Sequence, residues 1–367
     1  MAVSIFACAT LASEGEGDRD LPTAGIGPFR KLVQSEVFGV APFVLQDNQL
    51  AYREPSAIAT DGNAGVILFV GADEAMKDGG KTPVIARTRA NDGRSFYGGA
   101  GDFTHTPTIV LRPTEPWEKG SVGSPSALAV GDTTYLYYAC EGGIGLARSK
   151  DGFAFTKEPL PVFARDASAP PWETTQPKAP SVAHFPDGTF HLIYESGGVL
   201  GEAVSQDGLS FRRLDPDPST PDVEPIMGPS LDVDPASLPK GVLPPFDTLR
   251  VGHPCIVPRV TVAGRLHVRV LYSGYRRSGA DGSNVTSAVG FAARYGEYGF
   301  LIRNSTPVFS ADRHEEAPAL AEWERASMLY VHEDYSTTTT PSPIGIAAAF
   351  SPPSLTLPDP VAFSDSP

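Results

Sequence analysis

The stretch Arg53-Glu54-Pro55-Ser56-Ala57-Ile58-Ala59 decides the fold, because the chain carries five copies of its pattern. In each copy a proline is followed by a small residue and a short apolar run. Successive prolines are separated by 70, 55, 74 and 64 residues, and a unit recurring in this way indicates a closed repeat architecture. The other copies begin at Gly123-Ser124-Pro125, Lys178-Ala179-Pro180, Gly252-His253-Pro254 and Glu316-Ala317-Pro318.

Two further runs of strand length follow each proline motif, and a fourth run follows in four of the five units. The second runs are rich in β-branched and aromatic residues, as in Gly65–Val70 and Thr134–Tyr138. Asp-Gly pairs, which favour hairpin turns, close three of the third runs. The predicted fourth strands are residues 107–111, 160–163, 307–309 and 357–361.

Five units of four strands predict an all-β protein, a five-bladed β-propeller with four antiparallel strands per blade and a central funnel. A β-sandwich or a tandem of small β domains would not explain the five-fold repetition. We expect one propeller domain over residues 21–367, with innermost strands starting near residues 55, 125, 180, 254 and 318. Residues 37–40, 42–45 and 355–363 compete as the strand that closes the ring.

Residues 1–20 do not fit the propeller pattern. The segment Ile5-Phe6-Ala7-Cys8 resembles the end of a bacterial lipoprotein signal, and an ordinary disordered N-terminus is the alternative. The first interpretation predicts a lipid anchor at Cys8 and an extracellular or periplasmic location. No run of 18 apolar residues is present, so no membrane-spanning helix is expected.

The net charge and the cysteine spacing exclude some classes of ligand and some kinds of site. The chain has 29 Lys and Arg against 43 Asp and Glu, a net charge of −14, which argues against nucleic acid. Cys140 and Cys255 fall in different units and match no zinc spacing, so we expect free, buried thiols. We expect a monomer without a cofactor or catalytic metal, leaving open a structural calcium ion in the central channel.

Loop lengths indicate which face binds ligands. The connections between second and third runs and between units are mostly long, including residues 73–82, 164–178, 215–252 and 275–286. Binding usually resides in long loops on a rigid scaffold. The proline motifs open innermost strands on this face, so the residues preceding each proline should ring the funnel mouth. Those with charged or polar side chains are Arg53, Glu54, Ser124, Lys178, His253, Glu315 and Glu316.

These motifs resemble those of the five-bladed propeller glycosidases of glycoside hydrolase families 43 and 32, over about residues 50–363. Arg53-Glu54-Pro55 is similar to the family's Arg-Asp-Pro, which supplies a carboxylate. Glu316-Ala317-Pro318 is similar to the Glu-Ala-Pro that supplies the general acid. The segment 145–152 resembles the family's Gly-x-Ala-x-Ser-x-Asp-Gly.

The resemblance implies hydrolysis by two carboxyls, about 6.5–9.5 Å apart for inversion and about 5–5.5 Å for retention. Glu54 would be the base or nucleophile and Glu316 the acid, its pKa raised by burial and by neighbouring Glu315. The remaining candidates are expected to bind substrate, and Arg276 and Asp281 of a long fourth-unit loop could reach it. These binding candidates are Arg53, Ser124, Lys178, His253, Glu315 and Arg276.

Aromatic side chains on the same face have two interpretations. Trp117 and Trp172 lie in loops between units, and Tyr275 and Tyr335 open two other loops. Their flat faces could stack on sugar rings. Alternatively, the tryptophans pin proline-rich loops to the blades.

Two functions therefore remain. The first is a carbohydrate-active hydrolase acting on an extracellular glycan or oligosaccharide, and the two acid-proline units favour it. The second is a non-catalytic propeller that binds glycan or protein. Ser124 and Ala179 favour the second function, because family members usually carry further carboxylates on such blades.

Overall fold

The computed structural model describes the chain as an almost entirely β protein. Its strands form five antiparallel sheets, and Pro116–Glu118 forms a short 3-10 helix. No helix in this part of the chain is long and apolar enough to cross a membrane. The described residues are 29–32, 45–46, 51–60, 65–96, 107–231, 237–238, 240, 244–260, 266–278, 284–296, 298–310, 314–323, 326–334 and 344–351.

Each sheet is one blade, which confirms the predicted five-bladed propeller. From the innermost strand outward, blade 1 comprises Arg53–Ala59, Val66–Ala75, Lys81–Ala90 and Thr108–Leu111. Blade 2 comprises Gly123–Val130, Thr133–Cys140, Gly143–Ser149 and Thr156–Lys157. Blade 3 comprises Lys178–His184, Phe190–Ser196, Val199–Ser205 and Arg212–Arg213. Blade 4 comprises Arg250–Val260, Leu266–Ser278, Asn284–Tyr295 and Ile302–Arg303. Blade 5 comprises His314–Glu322, Ser327–Asp334, Ile344–Ser351 and Arg30–Lys31.

The ring closes through the N-terminal part of the chain. Arg30 pairs with Phe350 on the outer edge of blade 5, and Leu45 pairs with Ile346 of the same strand. The innermost strand of blade 5 also packs against that of blade 1. Of the segments proposed to close the ring, only the end of 42–45 takes part here, and 37–40 and 355–363 lie outside the described residues.

The apolar core is divided among the blade interfaces. Five clusters of buried side chains are found, each joining two neighbouring blades, as Val70 of blade 1 and Tyr330 of blade 5 do. Each such side chain contributes about 1.5–3 kcal/mol when fully buried. The alternation of apolar residues along the strands therefore makes a rigid ring that can hold side chains around its axis.

The residue after each motif proline links neighbouring blades. In blades 1 to 3 it is a serine, whose hydroxyl oxygen accepts a hydrogen bond from a backbone N–H of the next innermost strand. Cys255 and Ala319 occupy the same position in blades 4 and 5. The three serine bonds are Ala127 N to Ser56 at 2.9 Å, Val182 N to Ser126 at 2.9 Å and Ile256 N to Ser181 at 2.8 Å.

Two sequence predictions about strand limits are wrong. In blades 2 and 4 the fourth strand precedes the predicted segments, which make only isolated contacts such as Ile144 with Phe163. Pro159 and Pro161 separate the two parts in blade 2, because proline cannot donate to the ladder. The predicted loops 73–82 and 275–286 are shorter than expected, since the second and third strands of blades 1 and 4 extend into both ends of them, over 73–75, 81–82, 275–278 and 284–286.

The two cysteines of the blades are free thiols, as the sequence predicts. Both are partly rather than fully buried. Burial raises the pKa of Cys255 to about 11, despite a hydrogen bond from the backbone of Leu320. A thiol in this state is a poor nucleophile at neutral pH.

Candidate active site at the funnel mouth

The backbone places one side chain of each blade on the propeller axis. The residue before each motif proline is left-handed, with φ between 43° and 51°, and a bulge interrupts the strand pairing there. This conformation is strained for a residue other than glycine. With the five prolines, these residues line an axial cavity of about 30 Å³. They are Glu54, Ser124, Ala179, His253 and Ala317.

The fifth motif is offset by one residue from the sequence prediction. Ala317, not Glu316, precedes its proline and lies on the axis. Glu316 instead occupies the position of Arg53 in blade 1, one step further out. The two predicted catalytic carboxylates therefore approach the funnel from different positions on adjacent blades.

Glu54 is held as a carboxylate on the axis. Its Oε1 lies 3.6 Å from His253 Nε2, and its Oε2 accepts the backbone N–H of Ser124 at 2.9 Å. Burial alone would raise its pKa, but His253, the charge of Arg53 and the Ser124 hydrogen bond lower the pKa to about 2. Arg53 itself is paired with Asp73 at 2.7 Å.

Glu316 is also ionised in this arrangement. Its Oε2 accepts the Tyr275 hydroxyl at 2.5 Å, and its Oε1 lies 3.2 Å from His332 Nδ1. Burial opposes ionisation, but the bonds from these partners and the charges of His332 and His253 lower its pKa. The expected rise in the pKa of Glu316 is therefore wrong. Glu315 is fully buried. Because successive strand residues project to opposite faces of the sheet, Glu315 and Glu316 project to opposite faces.

His253 joins the two carboxylates. Its Nδ1 lies 3.0 Å from the Tyr275 hydroxyl that donates to Glu316, while its Nε2 faces Glu54. Burial works to lower its pKa, but the hydrogen bond of Glu54 and the charges of Glu195, Glu316 and Glu54 raise it. A continuous chain of contacts thus runs from Glu54 through His253 and Tyr275 to Glu316.

A third carboxylate, Glu195, reaches the mouth from blade 3. Its Oε1 lies 3.1 Å from Lys178 Nζ and 3.3 Å from Arg250 Nη1. The Arg250 guanidinium lies 3.5 Å from the ring centre of Tyr275. Glu195 is 1 % exposed and adjoins Gly252, where a β-carbon would lie 2.1 Å from Glu195 Oε2. The absence of a side chain at residue 252 therefore makes room for this acid.

Sequence reasoning missed Glu195 and His332, and it identified Tyr275 only as an aromatic at a loop. All three belong to second strands, which end where the innermost strands begin. Register pairs Glu195 with Lys178 and His332 with Glu316. The available signal was a polar residue closing an apolar run, as Glu195 follows Phe190–Tyr194.

Trp117 and Trp172, which lie in loops between blades, stack against tyrosines of second strands. Trp117 stacks on Tyr138 with ring centres 6.2 Å apart and donates its indole N–H to Pro159 O. Trp172 stacks on Tyr194 at 6.1 Å and donates to Val223 O. One face of each indole is thus occupied by protein, as the pinning interpretation expects.

In blades 2, 3 and 4 a buried acid directly follows a loop aromatic, which is Trp117, Trp172 or Phe246. The acid accepts the hydroxyl of the tyrosine beneath it and pairs with a cation on the fourth strand of the blade. The sets are Trp117, Glu118, Tyr138 and Lys157; Trp172, Glu173, Tyr194 and Arg213; and Phe246, Asp247, Tyr272 and Arg303. We call these three sets the rim clusters.

The remaining candidates are spread out. Arg276 lies in a strand opposite Thr286, so its predicted placement in a loop is wrong. Asp281 and Tyr335 lie outside the described residues. Among the residues described, no group of three or more His, Cys, Asp or Glu side chains is arranged to hold a metal ion.

Comparisons with known proteins find a likeness in structure but not in sequence. No protein-family model and no curated protein matches the chain. A structure from work on the GH130 family of mannoside phosphorylases, said to contain hydrolases of β-1,2 mannosidic linkages in Candida mannan, superposes with a TM-score of 0.61. It is 16% identical, over 89% of this chain and 95% of the other.

Two further structures match similarly. A glycosyl hydrolase from Bacteroides ovatus has a TM-score of 0.59 and 14% identity, over 89% of this chain and 96% of the other. The GH43_1 enzyme from Xanthomonas citri, complexed with xylose, has a TM-score of 0.52 and 15% identity, over 85% and 89%. At these identities the comparison shows the fold, and that fold is the five-bladed propeller of glycoside hydrolases of the GH130 and GH43 type.

Proposed function

We propose that the protein is a carbohydrate-active hydrolase that cleaves a glycosidic bond at the funnel mouth. The observation that carries this proposal is the convergence of Glu54 and Glu316 on His253 and Tyr275. Both carboxylates keep about a quarter of their side chain exposed, 24% for Glu54 and 26% for Glu316. They can therefore meet a ligand entering the funnel.

Glu54 has the properties of a base or nucleophile. Its pKa of about 2 keeps it ionised at neutral pH, so it can take a proton from an attacking water or attack the anomeric carbon itself. Glu316 serves as the acid that protonates the leaving oxygen. Because Glu316 is ionised in the free site, it must acquire a proton before each cleavage.

A sugar substrate is supported by the fold neighbours, which include hydrolases of mannosidic linkages and an enzyme bound to xylose. The net charge of −14 also disfavours a polyanionic substrate. We assign the binding of sugar hydroxyls to Lys178, which is 51% exposed, and to His253. We propose an extracellular or periplasmic glycan or oligosaccharide as the target.

A non-catalytic glycan-binding propeller is the second candidate. It is favoured by Ser124 and Ala179, which bring no carboxylate to the axis from blades 2 and 3. The ionised state of both Glu54 and Glu316 also favours it, because glycoside hydrolysis needs one protonated acid.

The test is a hydrolysis screen on nitrophenyl glycosides and on mannan, xylan and arabinan oligosaccharides. The wild type should release sugar, and Glu54→Gln and Glu316→Gln should each lower kcat by about 10²–10⁴-fold. The exposed acid Asp132 lies at a turn of blade 2, away from the mouth, so Asp132→Asn is the matched control. Saturable binding without cleavage by the wild type would instead support the second candidate, and undiminished turnover would remove the substituted residue from the mechanism.

A further inference from the structure

The contacts around Tyr275 define the direction of every hydrogen bond between His253 and Glu316. An ionised carboxylate can only accept, so the Tyr275 hydroxyl donates to Glu316 Oε2 at 2.5 Å. The phenolic oxygen is then left to accept from His253 Nδ1–H at 3.0 Å. Tyr275 is 3 % exposed, which shields this pair of bonds from bulk water.

The charges around His253 favour its protonated form, because they raise the pKa of the imidazole. Three carboxylates, Glu54, Glu195 and Glu316, act on the imidazole and favour its charged form. The nearby cations are engaged by acids, and His332 Nδ1 lies 3.2 Å from Glu316 Oε1, the carboxylate oxygen that does not accept from Tyr275. These cations are Arg53 with Asp73, and Lys178 and Arg250 with Glu195.

We propose that His253 delivers the catalytic proton to Glu316 through the hydroxyl of Tyr275. This inference rests on the proposed hydrolase function. It makes Tyr275 a positioning residue that passes a proton, and His253 the source of the proton that the glycosidic oxygen finally receives.

The step balances without a cofactor. The N–H bond at His253 Nδ1 breaks as an O–H bond forms on Tyr275, while the original O–H bond of Tyr275 breaks as one forms on Glu316 Oε2. A charged imidazolium–carboxylate pair becomes a neutral imidazole and a carboxylic acid. Burial and the charge of Glu316 raise the pKa of Tyr275, so its phenol is not lost as phenolate.

Substrate binding supplies the reason for the transfer. A sugar ring over the mouth displaces water from Glu316 and Glu54, and the loss of water disfavours the charged forms. The neutral pair then becomes the more stable one just as the leaving oxygen arrives. Glu54 stays ionised, because the neutral imidazole keeps its Nε2–H toward Glu54, and the charge of Arg53 and the backbone bond from Ser124 remain.

The test uses Tyr275→Phe, which keeps the ring beneath Arg250 and removes only the hydroxyl. On a glycoside that the wild type cleaves, kcat should fall about 10²-fold while KM changes less than about twofold. The pH profile should move toward acid, because Glu316 must then take its proton from solvent. Tyr298→Phe, at an exposed tyrosine outside the site, is the matched control. Turnover and a pH profile like those of the wild type would overturn the relay.

A second measurement separates this inference from the proposed function. Proton NMR of ¹⁵N-histidine protein at neutral pH should show a downfield Nδ1–H of His253 that is lost in Tyr275→Phe and kept in Tyr298→Phe. If no glycan is cleaved but this resonance behaves as expected, the hydrogen-bonded chain from His253 to Glu316 exists, and the hydrolase proposal and the catalytic use of that chain both fail. Absence of the resonance from the wild type would overturn the relay itself.

Discussion

The funnel mouth and the rim clusters contain the same pair of groups, a tyrosine hydroxyl and a carboxylate, in different surroundings. In both, a buried tyrosine hydroxyl donates to a carboxylate: Tyr275 to Glu316 at the mouth, Tyr194 to Glu173 at the rim. At the rim Trp172 stacks on Tyr194, the acid Glu173 is 0 % exposed, and Arg213 pairs with it. At the mouth the acid Glu316 is 26% exposed, and the basic residues near it are histidines.

The difference lies in whether the partner's charge can change. Arginine and lysine stay protonated at every physiological pH, so the rim acids are held in permanent ion pairs. Histidine titrates near neutrality, so the charges at the mouth can rearrange when a ligand binds. A carboxylate–tyrosine pair is thus structural when it is capped and paired with arginine or lysine, and available for chemistry when it is open and paired with histidine.

The largest effect should come from breaking a rim cluster. Glu173→Ala would leave the Arg213 guanidinium, whose side chain is 11% exposed, and the Tyr194 hydroxyl without their acid. Removing one partner of a buried ion pair costs about 3–5 kcal/mol. Urea unfolding should show this loss, whereas Glu316→Gln at the partly exposed mouth keeps an acceptor for Tyr275 and should cost less. Equal losses in the two variants would erase the distinction between the regions.

The sequence predicted the five innermost strands well because their signal is strong. A proline that opens a strand, followed by a small residue that contacts the next blade, recurs in every unit and is visible without coordinates. The outer strands left a weak signal, since strands such as Thr156–Lys157 have only two residues and prolines follow soon after.

The site was only partly predictable, for a geometric reason. Glu54 and His253 precede their prolines, so the motif points directly to them. Glu195, Tyr275 and His332 come from second strands, and only the strand register brings them beside the motif. The offset at Ala317 follows from aligning the prolines, since Glu316 then matches Arg53 and Ala317 matches Glu54, and both motifs carry the same bulge.

The second effect should appear in the pH dependence of stability. The pKa of Glu54 is about 2 in the folded protein against an ordinary value of 4.5. Its stabilising contribution is therefore present above pH 4.5 and is lost as the pH falls toward 2. Between pH 6 and pH 3 the wild type should lose about 2 kcal/mol more than Glu54→Gln. Parallel losses would show that the mouth does not hold Glu54 as a carboxylate.

A somewhat smaller effect should follow from crowding a rim cluster. At Gly201 a β-carbon would lie 2.4 Å from the Trp172 ring and 2.6 Å from Tyr194. Gly201→Ala should therefore cost about 1–2 kcal/mol by forcing the stacked rings apart. At Gly228 the nearest atom would be 3.7 Å away, so Gly228→Ala should change stability by less than about 0.5 kcal/mol. Thermal unfolding of the two variants measures the difference, and equal transitions would show that the stack tolerates a methyl group.

The smallest effect should come from Trp172→Phe, which bears directly on whether the rim binds sugar. Tyr194 covers one face of the indole and the N–H is bonded to Val223 O at 2.8 Å, so phenylalanine loses mainly that bond. We expect a stability loss of about 1 kcal/mol and a change in glycan Kd below about twofold, measured by calorimetry with a bound oligosaccharide. His253→Gln, at the mouth, should weaken the same binding by at least about tenfold, because it removes the cation between Glu54 and Glu316. A loss of affinity in Trp172→Phe as large as that in His253→Gln would show that the rim clusters, with their aromatic rings, are part of the sugar-binding site.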